Sequence, residues 1–268
     1  MKKRVIITTI VSFVLLLAVV LAALNAIFTV TSVRADFCTY SAEGRKEALE
    51  LQQKLNSYVG KSNAFLDLKD LEKKVAEYPS FRVEHIAKRL PDQVEVTVRE
   101  RKESFAYELA DGRYAALDED GVFLRVNPSP ANRVSGENIL LNGFGYTLNA
   151  QGGTDGRYFE ELFSVFAEMR GVLGEVRANV VSATFYMGGG PNATETHYFR
   201  FAMREGVVID LYNPKELAAE KGRAAIELYA GVGEYETKGL KDDEKTVGVI
   251  TVNVVNGKVV PNYQPTVD

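Results

Sequence analysis

From residue 5 to residue 33 the chain carries no charged side chain, a run of 29 positions preceded directly by Lys2, Lys3 and Arg4. A helix that crosses a bilayer needs roughly 20 apolar residues. The segment 14–24 (VLLLAVVLAAL) is the most apolar part of a run long enough to supply them with tilt to spare. The run predicts a single N-terminal transmembrane helix over 5–30. The rival is a cleaved signal peptide, whose apolar region is typically about 7–15 residues long and ends at a small-x-small site. Val33-Arg34-Ala35 is a poor site of that kind, so the uncleaved anchor is adopted. Three basic residues on one flank hold that end inside by the positive-inside rule. Residues 1–4 are then a short cytoplasmic tail, and everything past the anchor lies on the outer side of the plasma membrane.

The exported part holds 29 basic and 36 acidic residues, a formal charge of −7 against −4 for the whole chain. It has no cationic surplus with which to bind phosphates, which argues against nucleic acid as a partner. One cysteine, Cys38, has no intramolecular partner, so the fold rests on its apolar core rather than on disulfides. At about 100 residues per domain the exported length accommodates two domains.

Residues 30–37 alternate loosely and predict a strand. Ser41 then caps a helix through Tyr58, with Ala48, Leu51, Leu55 and Tyr58 at three- and four-residue spacing and Gly60 as a stop. A shorter helix starts near Asp67, presents Leu68, Leu71 and Val75, and ends before Pro79. Residues 81–89 predict a strand in which Ile86 breaks the alternation set by Phe81 and Val83, so a bulge or slip is expected. Val94, Val96 and Val98 alternate with Glu95, Thr97 and Arg99 as a half-buried strand.

Strand, helix, helix, strand, strand, directly after an apolar run, resembles a POTRA domain, and the details resemble the FtsQ/DivIB family of bacterial division proteins. The residues that carry the likeness are Gly60-Lys61, Phe65-Leu66-Asp67, Pro79, Pro91 and the run Val94-Glu95-Val96-Thr97-Val98-Arg99-Glu100-Arg101. The resemblance implies a POTRA domain at 31–102, a β domain at 103–263 and a C-terminal tail at 264–268. The fold class expected is therefore α+β: one transmembrane helix, a βααββ domain, and a β-rich domain of antiparallel strands with flanking helices.

The second half resembles the family's β domain only in outline. Short strands at 104–109, 113–117 and 122–126 are joined by Asp111-Gly112 and Asp118-Glu119-Asp120-Gly121, both turn chemistry. A loop covers 127–138, and Phe159, Leu162, Phe163, Phe166 and Met169 form a helical stripe. Further strands are predicted at 181–187, 197–204 and 206–212, with a loop at Gly188-Gly189-Gly190-Pro191. Asn213-Pro214 predicts a helix start, and Asn256-Gly257 predicts a hairpin between 246–255 and 258–263.

Catalytic chemistry needs convergent titratable groups, and the candidates are scattered. His85 and His197 fall in different domains, no zinc spacing exists, and Cys38 has no histidine near it in sequence. Asp118, Asp120 and Gly121 resemble the start of a calcium loop but lack its Glu and flanking helices. No catalytic, cofactor or metal site is nominated, and no small-molecule substrate. Two readings compete. The resemblance implies a non-enzymatic membrane-anchored scaffold that gathers FtsL and FtsB/DivIC-type single-span proteins at the septum and helps regulate septal peptidoglycan synthesis. The alternative is an exported cell-wall hydrolase, which needs a constellation the sequence does not display. An extended partner can add a strand to an open sheet edge. Residues 247–255 (VGVITVNVV) are the most β-prone run of the exported part. From the family's partner-binding surface, Ile250, Thr251, Val252, Asn253 and Val254 are the expected partner-binding residues, on a closing strand taken to be an edge.

Overall fold

A computed structural model describes residues 2–134, 136–148, 154–188 and 196–265. The chain divides into two compact units, Met1–Arg101 and Lys102–Asp268.

The first unit begins with α1 (Lys2–Ile27). Among the described residues no helix is long and apolar enough to cross a membrane. This overturns the transmembrane helix expected over 5–30, and with it the fold class as expected.

After α1 come β1 (Ser32–Cys38), α2 (Ala42–Leu55), α3 (Leu68–Ala76), β2 (Phe81–Arg89) and β3 (Gln93–Glu100). The sheet order is β1-β3-β2, with β3 parallel to β1 and antiparallel to β2. Ser41 is the N-cap of α2, accepting from the Gly44 amide at 2.8 Å, and Asp67 caps α3. Each satisfies an amide that the first helical turn leaves without a partner. Val94, Val96 and Val98 are fully buried against Leu51, Leu55, Leu71 and Val75, and the β2 register shifts between Val83 and His85. Glu100, at the end of β3, is buried and accepts from the Tyr40 and Ser41 amides at 2.5 and 3.0 Å and from the Ser41 hydroxyl. Its carboxylate lies over Gly44, where a Cβ would sit 2.2 Å from it.

Among its described residues the second unit has a nine-stranded sheet, a separate two-stranded pair and two α-helices. In chain order it contains β4 (Glu103–Glu108), β5 (Tyr114–Asp118), β6 (Phe123–Asn127), β7 (Ile139–Asn142), the short pair β8 (Thr147–Leu148) and β9 (Thr154–Asp155), then α4 (Phe159–Leu173). It continues through β10 (Val180–Tyr186), β11 (Tyr198–Met203), β12 (Val208–Tyr212), α5 (Ala218–Ala230), β13 (Val249–Val255) and β14 (Lys258–Gln264). Nine strands line up as β14-β13-β12-β11-β10-β7-β4-β5-β6.

Three of those pairings are parallel: β4 with β7, β7 with β10, and β12 with β13. The antiparallel domain expected from the sequence is therefore corrected to a mixed sheet. Parallel neighbours need crossover connections, and here α4 links β7 to β10 while α5 links β12 to β13. Both helices contribute to a single core with Phe105, Phe199, Phe201, Ile209 and Ile250. They approach closely at Gly222, where a Cβ would lie 3.0 Å from Val165 Cγ1.

The helix expected to start at Asn213-Pro214 starts instead at Ala218. Asn213 and Leu217 both have positive φ, 48° and 51°. Between them the chain turns so that the buried Lys221 ammonium can donate to the Tyr212 and Asn213 carbonyls at 2.7 and 2.9 Å. Burial pulls that ammonium below the usual lysine range, opposed by the Glu216 carboxylate. Gly189, Gly190 and Pro191 of the expected glycine loop lie outside the described residues.

Candidate functional site

The closing hairpin is built by its turn. Asn256 and Gly257 have φ of 51° and 73°, the double positive φ of a type I′ loop, whose twist matches that of the flanking strands. Such a two-residue loop closes a hydrogen-bonded pair, here Val255 with Lys258. Hydrogen-bonded pairs then recur at every second position: Asn253 with Val260, Thr251 with Asn262, and Val249 with Gln264.

β13 is therefore not an edge. Its residues Val249 to Val252 pair with β12 on one side, and its whole length pairs with β14 on the other. Ile250 and Val252 are fully buried in the core, Thr251 and Val254 are half-buried, and Asn253 is exposed. Ile250, Thr251, Val252, Asn253 and Val254, the expected partner-binding residues, therefore lie on an interior strand and present no open edge. The α5 crossover had already filled one side of β13, and the Asn-Gly turn folded the last strand onto the other.

The edge is β14. On it Lys258, Val260, Asn262 and Gln264 turn their backbone groups toward β13, so Val259, Pro261 and Tyr263 turn theirs outward. Pro261, which has no N–H, occupies an outward position, where its missing donor breaks no ladder bond. The same proline blunts the edge by one donor. The sequence signal for this edge is Pro261 within a β-prone run, since proline in sheets is confined to edges, first positions and bulges. Tyr263 anchors the strand: its hydroxyl lies 3.2 Å from the Glu244 carbonyl and 3.1 Å from that of Val247. Burial pushes that phenol up, and the Glu244 and Asp243 carboxylates push it the same way.

A groove of about 740 Å³ runs beside this edge, lined by Lys258 and Val259 of β14, Arg223 and Glu227 of α5, Glu168 of α4 and Tyr235. Arg223 pairs with Glu168 at 2.7 Å. On the sheet face away from the helices, Tyr186, Tyr198 and Tyr212 stack with ring centroids 4.8 and 5.1 Å apart. Arg200 lies 5.5 Å from the first two rings and makes two hydrogen bonds, 2.8 and 2.7 Å, with the buried Asp210 carboxylate, which holds the guanidinium above its ordinary value.

The histidines, the cysteine and the turn carboxylates each have their own local setting. His85 is exposed on β2 of the first unit, and His197 of the second unit lies 3.0 Å through Nδ1 from the Tyr158 hydroxyl. Cys38 is exposed, with its sulfur 3.8 Å from the Tyr40 hydroxyl. Asp118 is buried in a hairpin turn, accepting from the Asp120 and Val122 amides at 2.9 and 2.8 Å. Among the described residues no group of His, Cys, Asp and Glu has the makings of a metal site.

No protein-family model matches the chain, and no curated protein matches it by sequence.

Proposed function

We propose that this chain is a non-enzymatic scaffold of the bacterial division machinery, similar to FtsQ/DivIB. It acts on the outer side of the plasma membrane at the septum, binds FtsL- and FtsB/DivIC-type single-span proteins, and helps regulate septal peptidoglycan synthesis. The observation that supports the reading is the edge of β14, which among the described residues pairs with β13 alone, beside an open groove. A partner segment in extended conformation adds there as a tenth strand, hydrogen-bonding to the outward groups of Val259, Pro261 and Tyr263. The likeness of residues 31–101 to a POTRA domain supports the same assignment.

Two single prolines test it. Val259→Pro removes an outward donor and Val260→Pro an inward one. Co-purification of the full chain with co-expressed FtsL- and FtsB/DivIC-type partners is expected to be lost for Val259→Pro while its thermal melt stays cooperative. A Val259→Pro chain that still captures both partners like the parent would remove β14 as the site.

A further inference from the structure

The groove beside β14 carries a charge that the strand-edge reading does not use. Its lining is apolar at Ala224 of α5 and Val259 of β14, with Tyr235 half-buried beside them. Around these stand four carboxylates, Glu168, Glu220, Glu227 and Glu234, against two cations, Arg223 and Lys258. Arg223 is taken up by Glu168 at 2.7 Å. Glu220, Glu227 and Glu234 make no ion pair among the described residues, so the lining keeps a negative surplus. Glu227 is half-buried, and its carboxylate lies against Gly233, where a Cβ would be 2.7 Å from Glu227 Cδ. Gly233 has a φ of 62°, which glycine adopts without steric cost, so the turn can close on α5 at that point. Burial pushes the Tyr235 phenol up, and the Glu234 and Glu227 carboxylates push it the same way.

We propose that this groove reads one side chain of the added strand, and that the partner's extended segment carries lysine or arginine there. The inference rests on strand addition at β14 as proposed above and names the chemistry of the segment that adds. Residues directly opposite each other in neighbouring strands point their side chains to the same face of the sheet. Val259 is an outward position of β14 and packs against the core on the helix side, so the partner residue opposite it enters the groove. An acidic residue there meets Glu220, Glu227 and Glu234 as a like charge, which is destabilising. An apolar one leaves the half-buried Glu227 carboxylate without a countercharge. A lysine or arginine lays its methylenes along Ala224 and Val259 and brings its cation to the carboxylates and the Tyr235 ring. The partner's neighbouring side chains point to the opposite face, where Val260 and Asn262 are exposed and uncharged. The demand for positive charge therefore falls at one position rather than along the whole segment.

The test is a selection of phage-displayed random peptides on the immobilised full chain, with the selected sequences made as synthetic peptides. They are measured against the parent, Val259→Pro and the double variant Glu227→Gln/Glu234→Gln. The selected peptides are expected to share a lysine or arginine at one position of a β-prone stretch. They should lose at least about fivefold in affinity for the double variant, the upper range for a solvent-accessible ion pair. Added sodium chloride should weaken their binding to the parent and leave binding to the double variant unchanged. N-methylation of alternate peptide amides removes the strand hydrogen bonds from the partner's side, which keeps the strand question answerable if Val259→Pro unfolds. Peptides that are lost on Val259→Pro or on N-methylation, but share no basic residue or bind the double variant like the parent, overturn this inference and leave strand addition standing. Peptides indifferent to both Val259→Pro and N-methylation remove strand addition, and this inference with it. A selection that yields no binder overturns both.

Discussion

β3 of the first unit and β13 of the second have the same neighbours in kind. Each is flanked by one parallel and one antiparallel strand, and each alternates β-branched residues. Their burial differs. β3 is buried at Val94, Val96, Val98 and Glu100, whereas β13 is buried at Ile250 and Val252 only. The parallel neighbours also differ in length. β1 accompanies β3 from Gln93 to Arg99, while β12 leaves β13 after Val252. Alternation therefore reports which side chains share a face; how far that face stays covered depends on strands elsewhere in the chain.

The strongest test of this pairing is a charge in each core. Val96→Asp and Val252→Asp are each expected to cost about 3–5 kcal/mol, as an uncompensated buried charge does, seen as loss of a cooperative transition in urea. Tolerance of Val252→Asp would mean that this face of β13 is not covered by the core. The third position of each stripe sharpens the contrast. Val98→Asp is expected to cost as much as Val96→Asp, but Val254→Asp only about 1 kcal/mol, near the average for single substitutions. Equal costs at 98 and 254 would mean that β13 is covered along its full length.

Proline on the last strand comes next. Val260→Pro should lower stability by about 1–3 kcal/mol, since it leaves the Asn253 carbonyl without its β14 donor, and Val259→Pro should cost less in chemical denaturation.

The smallest effect concerns Tyr146, whose buried hydroxyl has no hydrogen-bond partner among the described residues and whose phenol burial pushes up. A phenol raised in the folded chain contributes stability below its unfolded pKa of about 10, and that contribution is lost as pH rises above it. Tyr146→Phe should be neutral or stabilising at pH 7 and should flatten the loss of stability above about pH 10. A steeper alkaline loss in the variant would contradict that assignment.

Much of the local structure was legible because it is encoded within a few residues. Ser41 and Asp67 are caps because a side-chain oxygen can reach an amide two or three positions on, and Asn256-Gly257 is a hairpin because those residues tolerate positive φ. The helix expected at Asn213 failed for the opposite reason. Its true start depends on Lys221, which becomes buried only when α5 packs on the sheet.

By itself, then, the sequence determined the periodicities, turns and caps, and the valine faces of β3 and β13, all interactions between neighbours along the chain. Only the tertiary structure decided that β12 and β13 run parallel, that β14 rather than β13 ends the sheet, and that Lys221 is buried where α5 begins. Those outcomes join residues tens of positions apart, and what selects them is the burial of one shared core and the pairing of backbone groups across it.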